Sequence, residues 1–254
     1  MRENINTSLE EENIHIVNLW EPLEFDIDEK YKYLKKGLIF SICSNLLYYG
    51  IAFPILKIVT KLVYDLKIEG KKNINNLKSG AVSVSNHVLV LDCAMVGIAY
   101  GGKKIYYTTR EESFEIPFVR KLIKLLRAIP IPKSIKNKEN FIEEVDNILR
   151  EDNVVHFYPE ASLEPYCNKL RNFKSGAFDF AIRNKVPVVP MVYQFREPKG
   201  IRKLLKKKQD VTLTILKPVK YEENNKNTKQ KVEELKNKVF EEMKKVEFIK
   251  TKEI

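Results

Sequence analysis

Apolar and polar positions follow different patterns on the two sides of residue 66. Before it, residues 37–56 form an apolar run without a formal charge, GLIFSICSNLLYYGIAFPIL, bounded by Lys36 and Lys57. After it, short strand-like runs alternate with segments of helical periodicity. This change predicts an α/β fold with a mostly parallel central sheet flanked by helices, preceded by an N-terminal membrane-associating helical region.

The apolar run 37–56 is long enough to cross a bilayer as a helix. Pro54, however, is expected to kink or end a helix at that point. Three structures therefore remain open: a transmembrane span, a helical hairpin that dips into one leaflet or lies in the interface, and a buried helix of a soluble core. Lysines at both ends and nearby tyrosines suit an interface. These tyrosines are Tyr48, Tyr49 and Tyr64.

The alternating part of the chain predicts the following elements. Strands are expected at 66–70, 80–87, 103–109, 153–158, 186–195 and 211–216, and helices at 91–100, 117–127, 139–150, 174–184 and from Asn227 onward. The helix at 117–127 is amphipathic and basic, which fits either a solvated face or contact with anionic lipid. Residues 202–208, RKLLKKK, are expected to form an exposed basic loop.

Three regions follow from these patterns. Residues 1–65 are expected to hold an acidic tail and the membrane-associating helices, and residues 66–220 an α/β domain. Residues 221–254 are expected to form an amphipathic helix that packs on that domain, with an apolar stripe at helical spacing. The stripe consists of Val232, Leu235, Val239, Met243 and Val246.

The charge balance narrows the range of partners. With 45 Lys and Arg against 34 Asp and Glu, the formal charge is +11, which favours a polyanionic partner but also serves plain solubility. Nucleic-acid-binding motifs are absent from the sequence, so a membrane surface is favoured over nucleic acid. The three cysteines, Cys43, Cys93 and Cys167, are too few and odd in number for a disulfide framework and fit a reducing compartment. The first residues do not resemble a cleaved signal peptide.

The stretch SVSNHVLVLD at 83–92 carries the candidate chemistry. His87 and Asp92 are too far apart to meet on a regular helix or strand. A strand ending at Ser85, a turn, and a helix from about Leu91 would bring them together. A carboxylate on Nδ1 then leaves Nε2 free as a base and stabilises the imidazolium. The alternative is a buried histidine bonded to a backbone carbonyl and an aspartate that caps a helix.

Five blocks of sequence then resemble the glycerolipid acyltransferase family, to which lysophosphatidic acid acyltransferases belong. The first is the Asn-His-x4-Asp order at 86–92, and the third is FYPEAS at 157–162, which is similar to the family's Phe-Pro-Glu-Gly-Thr-Arg. The others are LLRAIPIPKS at 125–134, FKSGAFDFA at 173–181 and VPVVPM at 186–191. The similarity covers roughly residues 66–220.

The resemblance implies catalysis by His87 and Asp92, with substrate contacts from Lys133, Glu160 and Ser162. Leu163 stands where the family has an arginine that is associated with the substrate phosphate. Arg171 or Lys174, close downstream, is expected to replace that cation. The alternative, which holds for Lys133 as well, is an ordinary solvated side chain. The alternative acceptor is therefore a different lipid or headgroup, used by an acyltransferase of the same family.

What the resemblance implies for function is an O-acyltransferase of phospholipid biosynthesis. Its donor would be an acyl-CoA or acyl carrier protein thioester, and its acceptor a lysophospholipid, most simply lysophosphatidic acid. A cofactor or metal is not expected. The enzyme would sit on the cytoplasmic face of the cell membrane as a peripheral or monotopic protein. The sequence leaves the oligomeric state open.

Three other hypotheses fit parts of the sequence. A metal site could be assembled from His87, Asp92, His156 and Glu160, although the sequence lacks an HExxH motif or a cysteine pair. Cys93 could act as a nucleophile, but a helix would point it away from the pair. A basic protein that only binds membranes would explain the charge without any catalysis.

Overall fold

The computed structural model describes residues 25, 27, 31–33, 37–116, 119–134, 138–205, 209–223 and 225–251. Its centre is a seven-stranded sheet with the order β1-β7-β6-β2-β5-β3-β4. Every neighbouring pair is parallel except β6 and β7, which confirms the mostly parallel α/β fold. The strands are β1 (Lys67–Glu69), β2 (Ala81–Ser85), β3 (Ile105–Arg110), β4 (Ala128–Ile131), β5 (Val154–Phe157), β6 (Val188–Arg196) and β7 (Asp210–Ile215).

Helices cover both faces of this sheet. The helices are α1 (Leu38–Tyr64), α2 (Lys72–Asn75), α3 (Asp92–Tyr100), α4 (Val119–Leu125), α5 (Lys138–Arg150), α6 (Gly176–Arg183), α7 (Ile201–Leu205) and α8 (Thr228–Thr251). Apolar side chains of α5, α6 and α8 share one core with Val82 and Val155, and those of α1 and α3 share the other with Ala81 and Val154. Strands β2 and β5 are buried throughout, as expected for strands covered on both faces.

The predicted elements agree with the observed ones to within two residues at their ends. The expected stripe of the last helix is confirmed: Val232, Leu235, Val239 and Met243 are buried, and Val246 is half-buried against the same core. The basic stretch 202–208 is not simply a loop, since its first residues belong to α7; residues 206–208 lie outside the described part. Pro117, the predicted start of α4, also lies outside the described residues. The boundaries of the three predicted regions stay a prediction.

Helix α1 is one continuous helix, so a hairpin within residues 37–56 is wrong. Its middle, Leu46–Ala52, is π-helical, and Pro54 lies in the first turn of the α-helical segment that follows. A proline lacks the N–H that an α-helix needs and clashes with the carbonyl four residues earlier. The wider π-helical turns before Pro54 accommodate it, and the helix therefore continues to Tyr64.

The two faces of α1 differ in chemistry. Toward the domain, Ser44 Oγ donates to the Leu125 carbonyl over 2.7 Å, Arg127 Nη2 donates to Asn45 Oδ1 over 2.8 Å, and the hydroxyls of Tyr48 and Tyr107 lie 2.7 Å apart. The outward face carries eight apolar side chains that are each more than half exposed, together with exposed Lys57 and Lys61. The eight are Leu38, Ile39, Ile42, Leu46, Ile51, Ile55, Ile58 and Leu62.

By length and composition α1 could cross a membrane, and only 11% of its apolar window is buried. That low fraction excludes a buried core helix. The choice between a span and an interfacial helix stays open.

Candidate active site

The loop between β2 and α3 forms the centre of the site. Strand β2 ends at Ser85 and α3 begins at Asp92, as the sequence predicted. The intervening turn brings His87 Nδ1 to 2.6 Å from Asp92 Oδ2. The site lies at the carboxyl end of a central parallel strand, where α/β folds place their chemistry. The catalytic role of the two residues stays a prediction at this point.

Asp92 is fully buried and surrounded by donors. Besides the His87 ring, the backbone N–H groups of Val88 and Leu89 approach Oδ2 at 3.3 and 3.4 Å. The Tyr158 hydroxyl donates to Oδ1 over 2.6 Å. These bonds satisfy the buried carboxylate and fix its orientation toward the imidazole.

The imidazole of His87 is held on its Nδ1 edge and by stacking. Its ring stacks on Tyr158 with 3.9 Å between centroids and 17° between planes. Because a carboxylate only accepts hydrogen bonds, Nδ1 carries the proton and Nε2 carries the lone pair of the neutral ring. The side chain retains 23% exposure. The arrangement can therefore act as a general base.

Asn86 ties the loop to the neighbouring strand. Its amide nitrogen donates to the Tyr193 carbonyl over 3.2 Å, and Tyr193 N–H donates back to its side-chain oxygen over 2.8 Å. The Tyr193 hydroxyl also donates to the backbone carbonyl of Asp92 over 2.6 Å. The sequence reasoning missed these contacts. An asparagine directly before the candidate base was the available signal.

Glu160 supports the loop from the other side. The exposed fraction of its side chain is zero, and its Oε2 accepts the His87 backbone N–H over 3.1 Å. Arg171 Nη2 lies 2.7 Å from the same oxygen, and the Arg171 backbone N–H donates to Oε1 over 3.0 Å. The carboxylate is thus occupied by protein groups. The structure gives Glu160 a positioning contact with His87, and its predicted substrate contact stays a prediction.

The segment 160–171 closes around the Arg171 guanidinium. Arg171 Nη1 donates to Ser162 Oγ over 2.6 Å, and Nη2 contacts the Ser162 and His87 carbonyls. Glu164 Oε2 lies 3.4 Å from Arg171 Nε, so the carboxylates of Glu160 and Glu164 together neutralise the guanidinium. Arg171 is therefore next to the base, but much of its charge is already compensated. Leu163, in the position of the missing arginine, is 37% exposed.

The two predicted lysines lie in different surroundings. The Nζ of Lys133, just beyond β4, lies 3.5 Å from carboxylate oxygens of Glu112 and Glu115. Strands β5 and β3 separate β4 from β2, so Lys133 is not brought against His87 and Asp92. Lys174 is exposed, and its backbone N–H donates to the Pro159 carbonyl over 2.8 Å. Of the two, Lys174 lies at the turn beside the pair.

The ring nitrogens of His156 contact two serines, not the other residues of the suggested metal site. Its Nδ1 lies 3.0 Å from Ser83 Oγ and its Nε2 3.2 Å from Ser85 Oγ. Burial, with a smaller contribution from His87, lowers its pKa to about 3. Within the described ranges, the fold gathers no group of three or more His, Cys, Asp and Glu side chains that could hold a metal.

Cys93 is also poorly placed as a nucleophile. Burial, and then the charge of Asp92, raise the pKa of its thiol to about 12. A thiol of that acidity is protonated near neutral pH, and only the thiolate is strongly nucleophilic.

Comparison with known proteins places this site in a family. The model of the family described as Acyltransferase matches residues 65–194, which include both His87 and Asp92. The chloroplastic 1-acyl-sn-glycerol-3-phosphate acyltransferase LPAT1 of Arabidopsis thaliana is 27% identical over 129 residues, 50% of this chain and 35% of that protein. Its counterpart BAT2 of Brassica napus is 25% identical, over 50% of this chain and 37% of that protein. The match thus spans little more than a third of these relatives.

A solved structure shows the same fold. The 1-acyl-sn-glycerophosphate (LPA) acyltransferase PlsC from Thermotoga maritima superposes with a TM-score of 0.51 at 20% identity, covering 82% of this chain and 94% of that one. The likeness supports the fold, and the family model, which matches about half of the chain, supports the family. The chain belongs to the acyltransferase family.

Proposed function

We propose that the protein transfers a fatty acyl group from an acyl thioester to the hydroxyl of a lysophospholipid. Lysophosphatidic acid is the proposed acceptor, and acyl-CoA or acyl carrier protein the proposed carrier of the donor. The observation that carries the proposal is the 2.6 Å contact between His87 Nδ1 and Asp92 Oδ2. It lies within the residues that match the acyltransferase family.

The proposed reaction needs only the proton chemistry of this pair. The His87 Nε2 lone pair takes the proton of the acceptor hydroxyl while the hydroxyl oxygen forms a bond to the thioester carbon. The carbonyl electron pair moves to oxygen and then returns as the C–S bond breaks. The imidazolium gives its proton to the departing thiolate, and an ester and a free thiol result. Asp92, beside Nδ1, stabilises the positive charge that the ring carries meanwhile.

The proposed acceptor is anionic, and the charges near the pair bear on this choice. Arg171 contacts the His87 carbonyl but is balanced by Glu160 and Glu164. Lys174 is exposed, and its backbone is bonded to the Pro159 carbonyl. We therefore assign Lys174 the larger share of phosphate binding and Arg171 the task of holding the 160–171 segment. This division replaces the arginine that is absent at Leu163.

A membrane location is part of the proposal. The outward face of α1 is apolar and exposed, its length suffices for a bilayer, and the chain carries a formal charge of +11. Apolar area and positive charge together favour binding to anionic membranes. The acceptor is a single-chain lipid that would reach His87 from such a surface. We place the protein on the cytoplasmic face, as a peripheral or monotopic enzyme.

The experiment is an acyl-transfer assay with purified protein and vesicles. Labelled acyl-CoA and acyl carrier protein thioesters would be offered in turn with lysophosphatidic acid, lysophosphatidylglycerol and lysophosphatidylcholine. We expect transfer to lysophosphatidic acid and a loss of roughly 10²–10⁴-fold in rate for His87→Ala. His15→Ala, a histidine outside the matched residues, is the control. Vesicle binding without consumption of any thioester would instead favour a protein that only binds membranes.

A further inference from the structure

Tyr158 contacts both members of the catalytic pair at once. Its hydroxyl donates to Asp92 Oδ1 over 2.6 Å, on the carboxylate oxygen opposite the one that faces His87. Its ring stacks on the imidazole at 3.9 Å with an angle of 17°. One side chain therefore constrains the direction of the carboxylate and the plane of the imidazole.

The ring of Tyr158 also packs against the buried side chain of His156. The rings of Tyr158 and His156 pack in a T-shaped arrangement, with 4.7 Å between their centroids and 84° between their planes. The two ring nitrogens of His156 lie within hydrogen-bond distance of Ser83 and Ser85 on β2. Because His156 and Tyr158 are two residues apart on and just after β5, they lie on one face of the sheet. The buried histidine thus supports the tyrosine ring and limits its movement.

The hydroxyl of Tyr158 distinguishes this chain from the family pattern. The family pattern Phe-Pro-Glu has a phenylalanine before the proline, where this chain has Tyr158. A phenylalanine could stack on the imidazole, but it could not donate to the carboxylate. Burial raises the pKa of Tyr158 well above its ordinary value, so the hydroxyl remains a donor throughout the working pH range.

We infer that Tyr158 is a positioning residue that sets both the geometry and the proton affinity of the His87–Asp92 pair. The inference rests on the proposed acyl transfer for its kinetic consequence only. The hydrogen bond from a neutral hydroxyl draws charge from Asp92 and so weakens its hold on the imidazolium. Without that bond, Asp92 would hold the proton on His87 more strongly, and the neutral base would form at higher pH.

The substitution leaves the other titratable and charged groups around the pair unaltered. Those near Asp92 are Tyr64 on α1, Cys93 on α3 and Tyr193 on β6. Those near His87 are His156 on β5, Glu160 and Glu164 after β5, and Arg171. Of these, Glu160 and Arg171 bind backbone atoms of His87, not its ring.

The test compares Tyr158→Phe, which removes one oxygen atom, with Tyr158→Leu, which also removes the stacked ring. Tyr106→Phe is the matched control, because Tyr106 is buried on β3 in the core of the opposite sheet face. For Tyr158→Phe we expect kcat to fall on the order of tenfold with KM nearly unchanged, and the acid limb of the pH–rate profile to move to higher pH. Tyr158→Leu should lose a further several-fold. Tyr106→Phe should match the parent in kcat and in its pH profile.

A second measurement does not depend on catalysis. Titration of the His87 ring signals by NMR, in the folded protein without substrate, should show a midpoint at higher pH in Tyr158→Phe than in the parent. An unmoved midpoint together with a kcat within twofold of the parent overturns the inference. If acyl transfer is absent from the parent protein, the proposed function fails, and the ring titration still decides whether Tyr158 sets the proton affinity.

Discussion

Arg171 Nη2 lies 2.7 Å from Glu160 Oε2, and the same carboxylate oxygen accepts the backbone N–H of His87. Hydrogen bonds thus join the guanidinium, the buried carboxylate and the loop that carries His87. Arg171→Ala would leave the Glu160 charge buried and without its partner, and we expect a loss of about 3 kcal/mol in the free energy of unfolding. Urea unfolding monitored by circular dichroism measures it. The double variant Arg171→Ala/Glu160→Gln removes the stranded charge and should recover part of the loss; equal losses in both would contradict this account.

The third block contains an alanine in a conformation that favours glycine. Ala161 has φ +63°, at the position where the family pattern has glycine. The left-handed region is strained for a residue with a Cβ atom, while glycine has more conformational freedom to lose on folding. We expect Ala161→Gly to stabilise the protein by about 0.5–1 kcal/mol. Thermal unfolding measures the effect.

The matched control for this substitution is Ala177→Gly in helix α6. There the backbone is helical, so the same change should destabilise by about 1 kcal/mol. Two changes of the same sign would show that the strain at Ala161 is not the cause.

His156 makes stability depend on pH. Its folded pKa of about 3 lies below the ordinary value of 6.5. Between these values the unfolded chain binds a proton that the folded protein does not, so stability falls as pH decreases from 6.5 toward 3. The slope from this one group is about 1.4 kcal/mol per pH unit.

Comparison with His156→Asn isolates that slope. From pH 6.5 to pH 5 the parent should lose about 1.6 kcal/mol more than the variant, measured as the free energy of unfolding in urea at each pH. Parallel pH dependences in the two proteins would assign the acid sensitivity to other groups.

Lys174 and Lys133 give different expectations for substrate affinity. Lys174→Gln should raise KM for lysophosphatidic acid about tenfold, because a charged contact with phosphate is lost, with kcat within twofold. Lys133 is already paired with Glu112 and Glu115, so Lys133→Gln should change KM less than threefold, about 0.6 kcal/mol.

The control for both lysine variants is Lys220→Gln, next to Val219, which pairs with Val188 at the start of β6. A KM for Lys174→Gln equal to that of the control would remove Lys174 from the phosphate site.

The sequence predicted the fold, and it predicted the turn after Ser85 to within one residue, because both depend on local pattern. Alternating apolar runs mark strands and helices wherever tertiary packing agrees with them, as at β2 and α3. The roles of Tyr158 and Glu160 could not be predicted in this way. They arise because β5 lies beside β2 in the sheet, an adjacency of distant segments that a single sequence does not state. The prediction that Pro54 ends a helix was wrong for a related reason. The π-helical turns before Pro54 are not visible as a pattern of residue types.

Helix α1 packs against α3, the helix whose first residue is Asp92. Its polar face is fixed to the domain by directional hydrogen bonds through Ser44, Asn45 and Tyr48, and Gly97 on α3 leaves the space that the Tyr48 and Tyr107 hydroxyls occupy. Helix α1 and the helix that begins at Asp92 therefore share one apolar core. A bilayer bound to the outer face of α1 would therefore fix the distance and the orientation of His87 relative to the lipid surface.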